Sequence, residues 1–423
     1  MRLSNVAWNA GGLLLPLAVA ALTVPQMLER LGHERFGLLT LAWGLIGYAG
    51  AMDLGIGRAL TQRVAGLRGM GEFGSIPDVL ATAGRITLFA GLLGGILIAL
   101  AAALGVGAWV RTDSTPTGEI RDAILLLAIA LPAQAMTATY RGMNEGFLKF
   151  KEISLLRAGL GVINFGGPYL VSLLTTQLPW LVSTLVVSRW LALVVFRHLA
   201  IGCLESGGGV KRHGAYSNRV AASLFSFGAW VTLSGVVSPI LVQADRFLIA
   251  SAISAAAVSI YVLPYEVVVQ SLVLAGAVSS VMFPGLSQLI REKPDQWPSY
   301  FKKWLWRIAV TMAIVCSALL LLLPKFLSLW IKDDLRPESV VIGQVLCIGV
   351  FANAIGSMFY ALLHAKGRAD ITAKLHLAEL PIFIGFLTFM VVSHGVIGAA
   401  WAWVGRMVLD AGLLAGFARF GRA

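Results

Sequence analysis

Long, almost continuously apolar runs separated by short polar loops dominate this chain. In runs such as Ile86–Leu104 and Ile308–Leu323 the apolar residues follow one another directly, whereas the strands of a membrane barrel alternate every second residue. A transmembrane helix needs about 20 mostly apolar residues. That length predicts an all-α polytopic membrane protein with twelve transmembrane helices, at 6–28, 36–57, 79–104, 120–140, 154–176, 179–199, 220–243, 257–283, 304–324, 339–363, 374–393 and 395–417.

The composition also indicates that lipid is part of the solvent. Hydrophobic residues make up 58% of the chain and charged residues only 13%, whereas a soluble domain carries about 25% charged residues. A soluble core of this size could not bury so much apolar surface. This excludes a soluble enzyme and a nucleic-acid-binding domain, despite the net charge of +12.

The basic residues are distributed unevenly between alternate loops. If both termini lie in the cytoplasm, 23 of the 33 lysines and arginines fall on the inner side of the membrane and 8 on the outer side. Inner loops of membrane proteins carry such an excess. The charge is therefore an orientation signal. It predicts a multi-pass plasma-membrane protein with both termini cytoplasmic and no nucleic-acid partner.

The two halves of the chain are similar at a nearly constant offset. Gly146 aligns with Gly367 at an offset of 221 residues, and Arg189 aligns with Arg406 at an offset of 217. Six spans per half give both halves the same orientation, which predicts parallel repeats, one pattern found in transporters. The predicted domains are an N-terminal six-helix bundle at 1–205 and a C-terminal six-helix bundle at 206–423.

Three stretches near the start of the chain carry a family resemblance. They are Asn5 with Trp8-Asn9, Leu31-Gly32-His33-Glu34-Arg35-Phe36-Gly37-Leu38, and Asp53-Leu54-Gly55-Ile56-Gly57-Arg58-Ala59-Leu60. With them the chain resembles the polysaccharide-export branch of the multidrug/oligosaccharidyl-lipid/polysaccharide (MOP) exporter superfamily. The resemblance implies two six-helix bundles around a central cavity. It also implies a bacterial inner-membrane protein that flips lipid-linked oligosaccharides.

Two arginines are predicted near the middle of the bilayer, one in each repeat. Arg189 and Arg406 lie about ten residues into their spans, which is about 15 Å at 1.5 Å per residue. A charge at that depth is costly and should face a wet cavity or a partner. A guanidinium grips phosphate with a planar fork of donors, so the pair is a candidate substrate site. Alternatively, Arg406 pairs with Asp410, and Arg189 reaches the inner surface or packs on an aromatic ring.

The carboxylates within the spans are candidates for ion coupling or gating. Glu266 follows Pro264, whose ring bends a helix and frees a carbonyl, and Glu379 precedes a second proline. Such a buried carboxylate could bind H⁺ or Na⁺, or could equally be a structural glutamate paired with an arginine. Asp53 near Arg58 forms either a gate or a pair that caps a helix end. Further candidates are Asp410 for coupling and, for the cavity wall, Arg58, Arg85 and Asn9.

Neutral polar residues within apolar runs form a third group of candidates. They would either line the cavity and contact sugar hydroxyls, or hold neighbouring helices together by hydrogen bonds. His364 and His376 lie near an inner loop and are predicted to be solvated. The polar group comprises Asn5, Asn9, Gln134, Asn164, Gln243, Gln270 and Asn353.

Taken with the resemblance, these features predict a flippase and not an enzyme. The substrate would be an undecaprenyl-pyrophosphate-linked oligosaccharide, moved from the inner to the outer leaflet by alternating access. The alternatives are a cation-coupled multidrug exporter of the same superfamily and a scaffold for an envelope polymerase complex. No nucleotide-binding, zinc-protease or C-x-x-C motif is present, so no cofactor and no metal are expected. The expected partners are the lipid-linked substrate, membrane lipids, H⁺ or Na⁺, and an envelope polymerase complex.

Overall fold

The structure, a computed structural model, describes residues 3–48, 55–206 and 214–420, with the side chains of 3–14, 225–239 and several single positions left aside. Apart from short 3₁₀ turns, the regular structure in these ranges is α-helical. The helices are α1 Leu3–Tyr48, α2 Ile56–Met70, α3 Ile76–Ala103, α4 Thr117–Gly146, α5 Phe150–Ser172, α6 Leu178–Ser206, α7 Asn218–Ala252, α8 Ala255–Val269, α9 Leu272–Glu292, α10 Trp297–Ile331, α11 Pro337–Ala365 and α12 Ala369–Phe420.

The helices confirm an all-α polytopic membrane protein. Each predicted span overlaps a helix, and seven helices of the described ranges are long and apolar enough to cross a membrane. Two helices each contain a break that separates consecutive spans. The backbone leaves helical geometry at Gly32, with φ 69°, within α1 and at Gly395, with φ 61°, within α12. Both positions need a positive φ, which glycine adopts readily.

The predicted span 257–283 is wrong as a single helix. Helix α8 ends at Val269 and α9 begins at Leu272. Between them, both the backbone N–H and the hydroxyl of Ser271 donate to the carbonyl of Val268, at 3.2 and 2.7 Å. A serine that bonds its own backbone in this way competes with the helical hydrogen bonds. The break therefore lies several residues beyond Pro264.

Contacts between residues divide the chain into two compact units, Met1–Ile240 and Leu241–Ala423. The division falls within α7, so this helix contributes residues to both units. The predicted domain boundary between residues 205 and 206 stays a prediction. The predicted cavity between two bundles does so as well.

In the first unit, the short helix α2 is held by one apolar face. Ile56, Leu60, Val64 and Leu67 are buried at helical spacing against residues of α3, α4 and α6. The end of α4 is held by Arg68, whose Nη1 donates to the carbonyl of Gly146 at 2.6 Å. A cation at a helix C-terminus complements the unpaired carbonyls there. These contacts fix the inner end of α4, which also borders the pocket described below.

Helices α3 and α4 approach closely at two glycines spaced by four residues. A Cβ atom on Gly91 would lie 2.7 Å from the Cα of Pro132, and one on Gly95 would lie 2.8 Å from the carbonyl oxygen of Ala128. Small residues at this spacing allow membrane helices to pack backbone against backbone. The contact positions α4, the central helix of the first unit.

Just after the break at Gly32, one carboxylate holds a loop of the first unit. Glu34 accepts hydrogen bonds from the backbone N–H groups of Asp113, Ser114 and Thr115, at 2.7–3.2 Å. Partial burial by itself would raise the pKa of Glu34. The hydrogen bonds outweigh that effect and lower its pKa from 4.5 to about 2. The loop is therefore fastened to α1 by an ionised side chain.

We expect Glu34→Gln to accelerate hydrogen exchange at the amides of residues 113–115 by about tenfold, because a neutral amide is a weaker acceptor than a carboxylate. The lowered pKa means that the stabilisation is complete above pH 4.5 and is lost as the pH falls through about 2. Exchange mass spectrometry measures this. Glu29→Gln, at an exposed position of the same helix, is the control. Equal exchange in both variants would contradict the clamp.

The cysteines are free and lie inside the protein. Cys203, Cys316 and Cys347 are unpaired, and each is less than 9% exposed. Their separate positions on α6, α10 and α11 agree with the sequence, which implied no disulfide framework. They act as small apolar core residues.

Candidate functional site

A basic pocket lies within the first unit, between α4, α5 and α6. Its volume is about 260 Å³. Three arginines, two side-chain amides and one hydroxyl line it, together with a few apolar side chains. The lining residues are Gln134, Thr137, Arg141, Ile153, Arg157, Leu160, Gly161, Asn164, Arg189, Ala192 and Phe196.

Arg189 is held in the pocket by a side chain of the facing helix. Its Nη2 donates to Oδ1 of Asn164 at 3.1 Å, and Trp43 Nε1 donates to the backbone carbonyl of Asn164 at 3.1 Å. The Nε of Arg189 is buried and has no hydrogen-bond partner among the described residues. Arg189 thus has a fixed guanidinium with a spare donor inside the basic pocket.

Arg141 and Arg157 contribute two more positive charges to the basic pocket. Arg141 is about half exposed and lies 3.6 Å from Glu145, and Arg157 is exposed. The sequence assigned both only to inner loops, so their place in the pocket was missed. Gln134 and Asn164 were cavity candidates, and the structure does place them in a pocket wall. The signal for Arg157 was its position one turn into a span.

Arg406, the counterpart of Arg189, lies in different surroundings in the second unit. Its Nη1 donates to the carbonyl of Leu241 at 3.0 Å, and its guanidinium carbon lies 5.1 Å from the ring centre of Phe383. Among the described residues, its Nε has no hydrogen-bond partner. No described ion pair joins Arg406 to Asp410, which instead lies 3.6 Å from His376.

Two of the predicted coupling carboxylates do come together, and a histidine joins them. One nitrogen of His376 and one oxygen each of Glu379 and Asp410 lie within 4.8 Å of one another. We call these three residues the α12 cluster. Glu379 is only 2% exposed, and His376 is 26% exposed. His376 was predicted to be solvated, and the structure instead places it against a carboxylate.

Glu266 has an arginine partner, as the structural interpretation of this residue required. Arg246 Nη2 donates to Glu266 Oε1 at 2.6 Å and is itself 7% exposed, while 59% of the Glu266 side chain is exposed. The buried Asp245 accepts a hydrogen bond from Tyr261 at 2.6 Å. The sequence missed Asp245 and Arg246, because both fell just beyond a predicted span.

The remaining candidates lie apart from these two sites or outside the description. Arg58 is exposed on α2. Arg85 is exposed and lies 5.8 Å from the ring centre of Tyr216. Asp53 and the side chain of Asn9 lie outside the described residues. The cavity and gating roles of these four residues stay predictions.

The sequence as a whole matches a known family. The family model for the polysaccharide biosynthesis protein covers residues 3–290. The chain belongs to this family. Membership confirms the resemblance to the polysaccharide-export branch of the MOP superfamily that the first 65 residues indicated.

Relatives of this polysaccharide biosynthesis protein span most of its length. A Shigella flexneri protein assigned as an O-antigen transporter is 27% identical over 416 residues, 97% of this chain and 96% of the relative. The lipopolysaccharide biosynthesis protein WzxC of Escherichia coli K12 is 21% identical over 399 residues, 94% and 76% of the two chains. An inward-facing multidrug resistance MATE transporter of the MOP superfamily has a similar fold, with a TM-score of 0.75 and 14% identity over 97% of each chain.

Proposed function

We propose that the protein is a flippase for an undecaprenyl-pyrophosphate-linked oligosaccharide, such as an O-antigen or exopolysaccharide repeat unit. It would move this lipid from the inner to the outer leaflet of the bacterial inner membrane. The observation that carries the proposal is the basic pocket, which gathers three arginines in one unit of a membrane protein. The names of the two relatives, an O-antigen transporter and a lipopolysaccharide biosynthesis protein, support the same substrate class.

The chemistry of the basic pocket suits a pyrophosphate joined to a sugar. Arginine stays charged at every physiological pH, and its fork of donors matches the geometry of phosphate oxygens. Arg189 has a buried Nε without a partner among the described residues, so a phosphate oxygen would satisfy it. The amides of Gln134 and Asn164 can donate to and accept from sugar hydroxyls. The pocket would take only part of the headgroup, and the lipid tail would stay in the bilayer.

The membrane potential favours export of such a headgroup. Moving one charge through 100 mV is worth about 2.3 kcal/mol, and an inside-negative potential drives an anion outward. Arginines near the middle of the bilayer would lower the cost of carrying that anion through the apolar region. In this proposal the two halves alternate between inward-open and outward-open arrangements. H⁺ or Na⁺ binding and contact with an envelope polymerase complex remain parts of the proposal.

Reconstitution tests the proposed function directly. The full chain in liposomes should flip a fluorescent undecaprenyl-pyrophosphate-linked oligosaccharide, which a membrane-impermeant quencher detects. A polyprenol-linked sugar without phosphate is the matched control, and its flipping should stay at the rate of protein-free liposomes. Equal rates for both lipids would contradict the role of the basic pocket. Transport of cationic drugs with no lipid flipping would instead support the multidrug-exporter alternative.

A further inference from the structure

The α12 cluster contains a carboxylate that the protein leaves unsatisfied. Glu379 is 2% exposed, and neither of its carboxylate oxygens has a hydrogen-bond partner among the described residues. An ionised carboxylate in such a place loses its hydration without any compensating donor, which costs several kcal/mol. Either a proton or a cation would remove that cost.

The groups beside Glu379 are acids and bases. Asp410 Oδ1 is also buried without a hydrogen-bond partner in the described part of the chain, and it lies 3.6 Å from His376 Nε2. His376 and Glu379 are three residues apart, so they share one face of the helix before the break at Gly395. Asp410 reaches them from the helix after the break. The break thus brings the three side chains to one point.

The charges of the α12 cluster balance when one proton is added. Two ionised carboxylates and the nearby Arg406, which interacts with both of them, sum to one negative charge while His376 is neutral. A single proton makes the site neutral, which is the favoured state in a low dielectric. A divalent cation would leave one positive charge. A hard monovalent cation such as Na⁺ prefers oxygen ligands alone, and here one ligand would be an imidazole.

Groups on the other packed helices do not alter this balance. His364 of α11 bonds to Thr372 at 3.1 Å. On α7, Asp245 is paired with Arg246 and Tyr261. The titratable groups that face the α12 cluster or Arg406 from other helices are Tyr360 and His364 of α11, Tyr265 of α8 and Asp245 of α7.

The same place in the first unit has the opposite chemical character. Helices α5 and α12 both follow a turn with positive φ, at Leu148 and Gly367, which sets an offset of 219 residues. At this offset His376 corresponds to Arg157, and Glu379 corresponds to Leu160. At the offset of 217 that relates the two conserved-position arginines, Asp410 corresponds to Leu193. The positions that form part of the basic pocket in one repeat thus form the α12 cluster in the other.

We propose that His376, Glu379 and Asp410 together bind one exchangeable proton. The proton comes from water, is held between the two carboxylates and the imidazole, and returns to water when the site opens. The first unit would bind the anionic headgroup and the second unit the proton. Proton binding does not depend on the proposed function, whereas coupling of the proton to lipid flipping rests on it.

Infrared difference spectroscopy of the full chain in lipid nanodiscs tests the proton site without any substrate. Between low and high pH, the wild-type protein should show the C=O band of a protonated carboxyl group. Glu379→Gln and Asp410→Asn should lose or shift the band, and His376→Gln should shift its midpoint. Glu338→Gln, at an exposed position of α11, should leave it unchanged. A band that persists unshifted in the first two variants would overturn the proposal, as would one that disappears on adding Na⁺ or Zn²⁺ at constant pH.

The folding of Glu379→Gln provides a second readout. Glutamine has the shape and neutrality of the protonated acid, so this variant should be at least as thermally stable as the wild type at neutral pH. A large loss of stability would contradict a protonated Glu379. In liposomes, wild-type flipping should respond to an imposed pH difference and Glu379→Gln flipping should not. A normal band without any flipping would refute the proposed function and leave the proton site intact, whereas pH-responsive flipping in Glu379→Gln would refute the site.

Discussion

Arg189→Ala should reduce flipping of a pyrophosphate-linked lipid by about 30-fold or more. Truncating one partner of a buried, hydrogen-bonded charge pair costs at least about 2 kcal/mol, and a factor of ten in rate corresponds to 1.4 kcal/mol. The thermal stability should not fall, because the wild-type Nε is buried without a partner among the described residues. Rate and melting temperature, measured on the same preparation, therefore separate a binding role from a structural one.

Two further substitutions sharpen this test. Arg189→Lys keeps the charge but loses the planar fork held by Asn164, so it should recover only part of the rate. Arg121→Ala removes an exposed arginine from the other end of α4, where it is paired with Asp122, and should flip at the wild-type rate. If Arg189→Ala flips normally, the basic pocket does not bind the headgroup. If the stability falls together with the rate, Arg189 has a structural role.

Leucine at either glycine of the α3–α4 contact should cost about 3 kcal/mol of unfolding free energy, the upper end of the usual range for overpacking. A side chain on Gly91 would collide with the backbone of Pro132, and one on Gly95 with the backbone of Ala128. Backbone atoms cannot move aside as a flexible side chain can. The helices would have to separate, which would also displace the α4 wall of the basic pocket.

Gly84→Leu is the matched control, since it lies on the same helix and a Cβ there would meet no atom within 4 Å. It should express and melt as the wild type does. Folded yield in detergent and the unfolding midpoint provide the measurements. If Gly91→Leu and Gly84→Leu behave alike, the close contact of α3 and α4 is not important for stability.

The sequence predicted the helices well and their breaks poorly. Apolar length and the distribution of lysine and arginine located the spans, because both follow from the bilayer itself. The break after Val269 was not predicted, since it depends on two hydrogen bonds made by Ser271. Proline was the only available signal, and Pro264 lies several residues too early. Gly32 and Gly395 were not predicted either, because a glycine shows its positive φ only in three dimensions.

Prediction of the sites succeeded where a charge was conspicuous and failed where it looked ordinary. Arg189, Glu379 and Asp410 stood out as charges within apolar runs. Arg141 and Arg157 looked like further basic loop residues, and His376 looked solvated. Their roles depend on which helix faces which, and residue spacing along one helix cannot reveal that. Asn164 marks the limit, because its type suggested a cavity wall but its hold on Arg189 required coordinates.

The burial of all the native thiols has a practical consequence for following the transport cycle. A maleimide reagent should react slowly with Cys203, Cys316 and Cys347, because each is less than 9% exposed and only an accessible thiolate reacts readily. A single cysteine introduced at the rim of the basic pocket would therefore report its own accessibility in intact cells. The unaltered protein would provide the blank, so the native residues would not need to be replaced first.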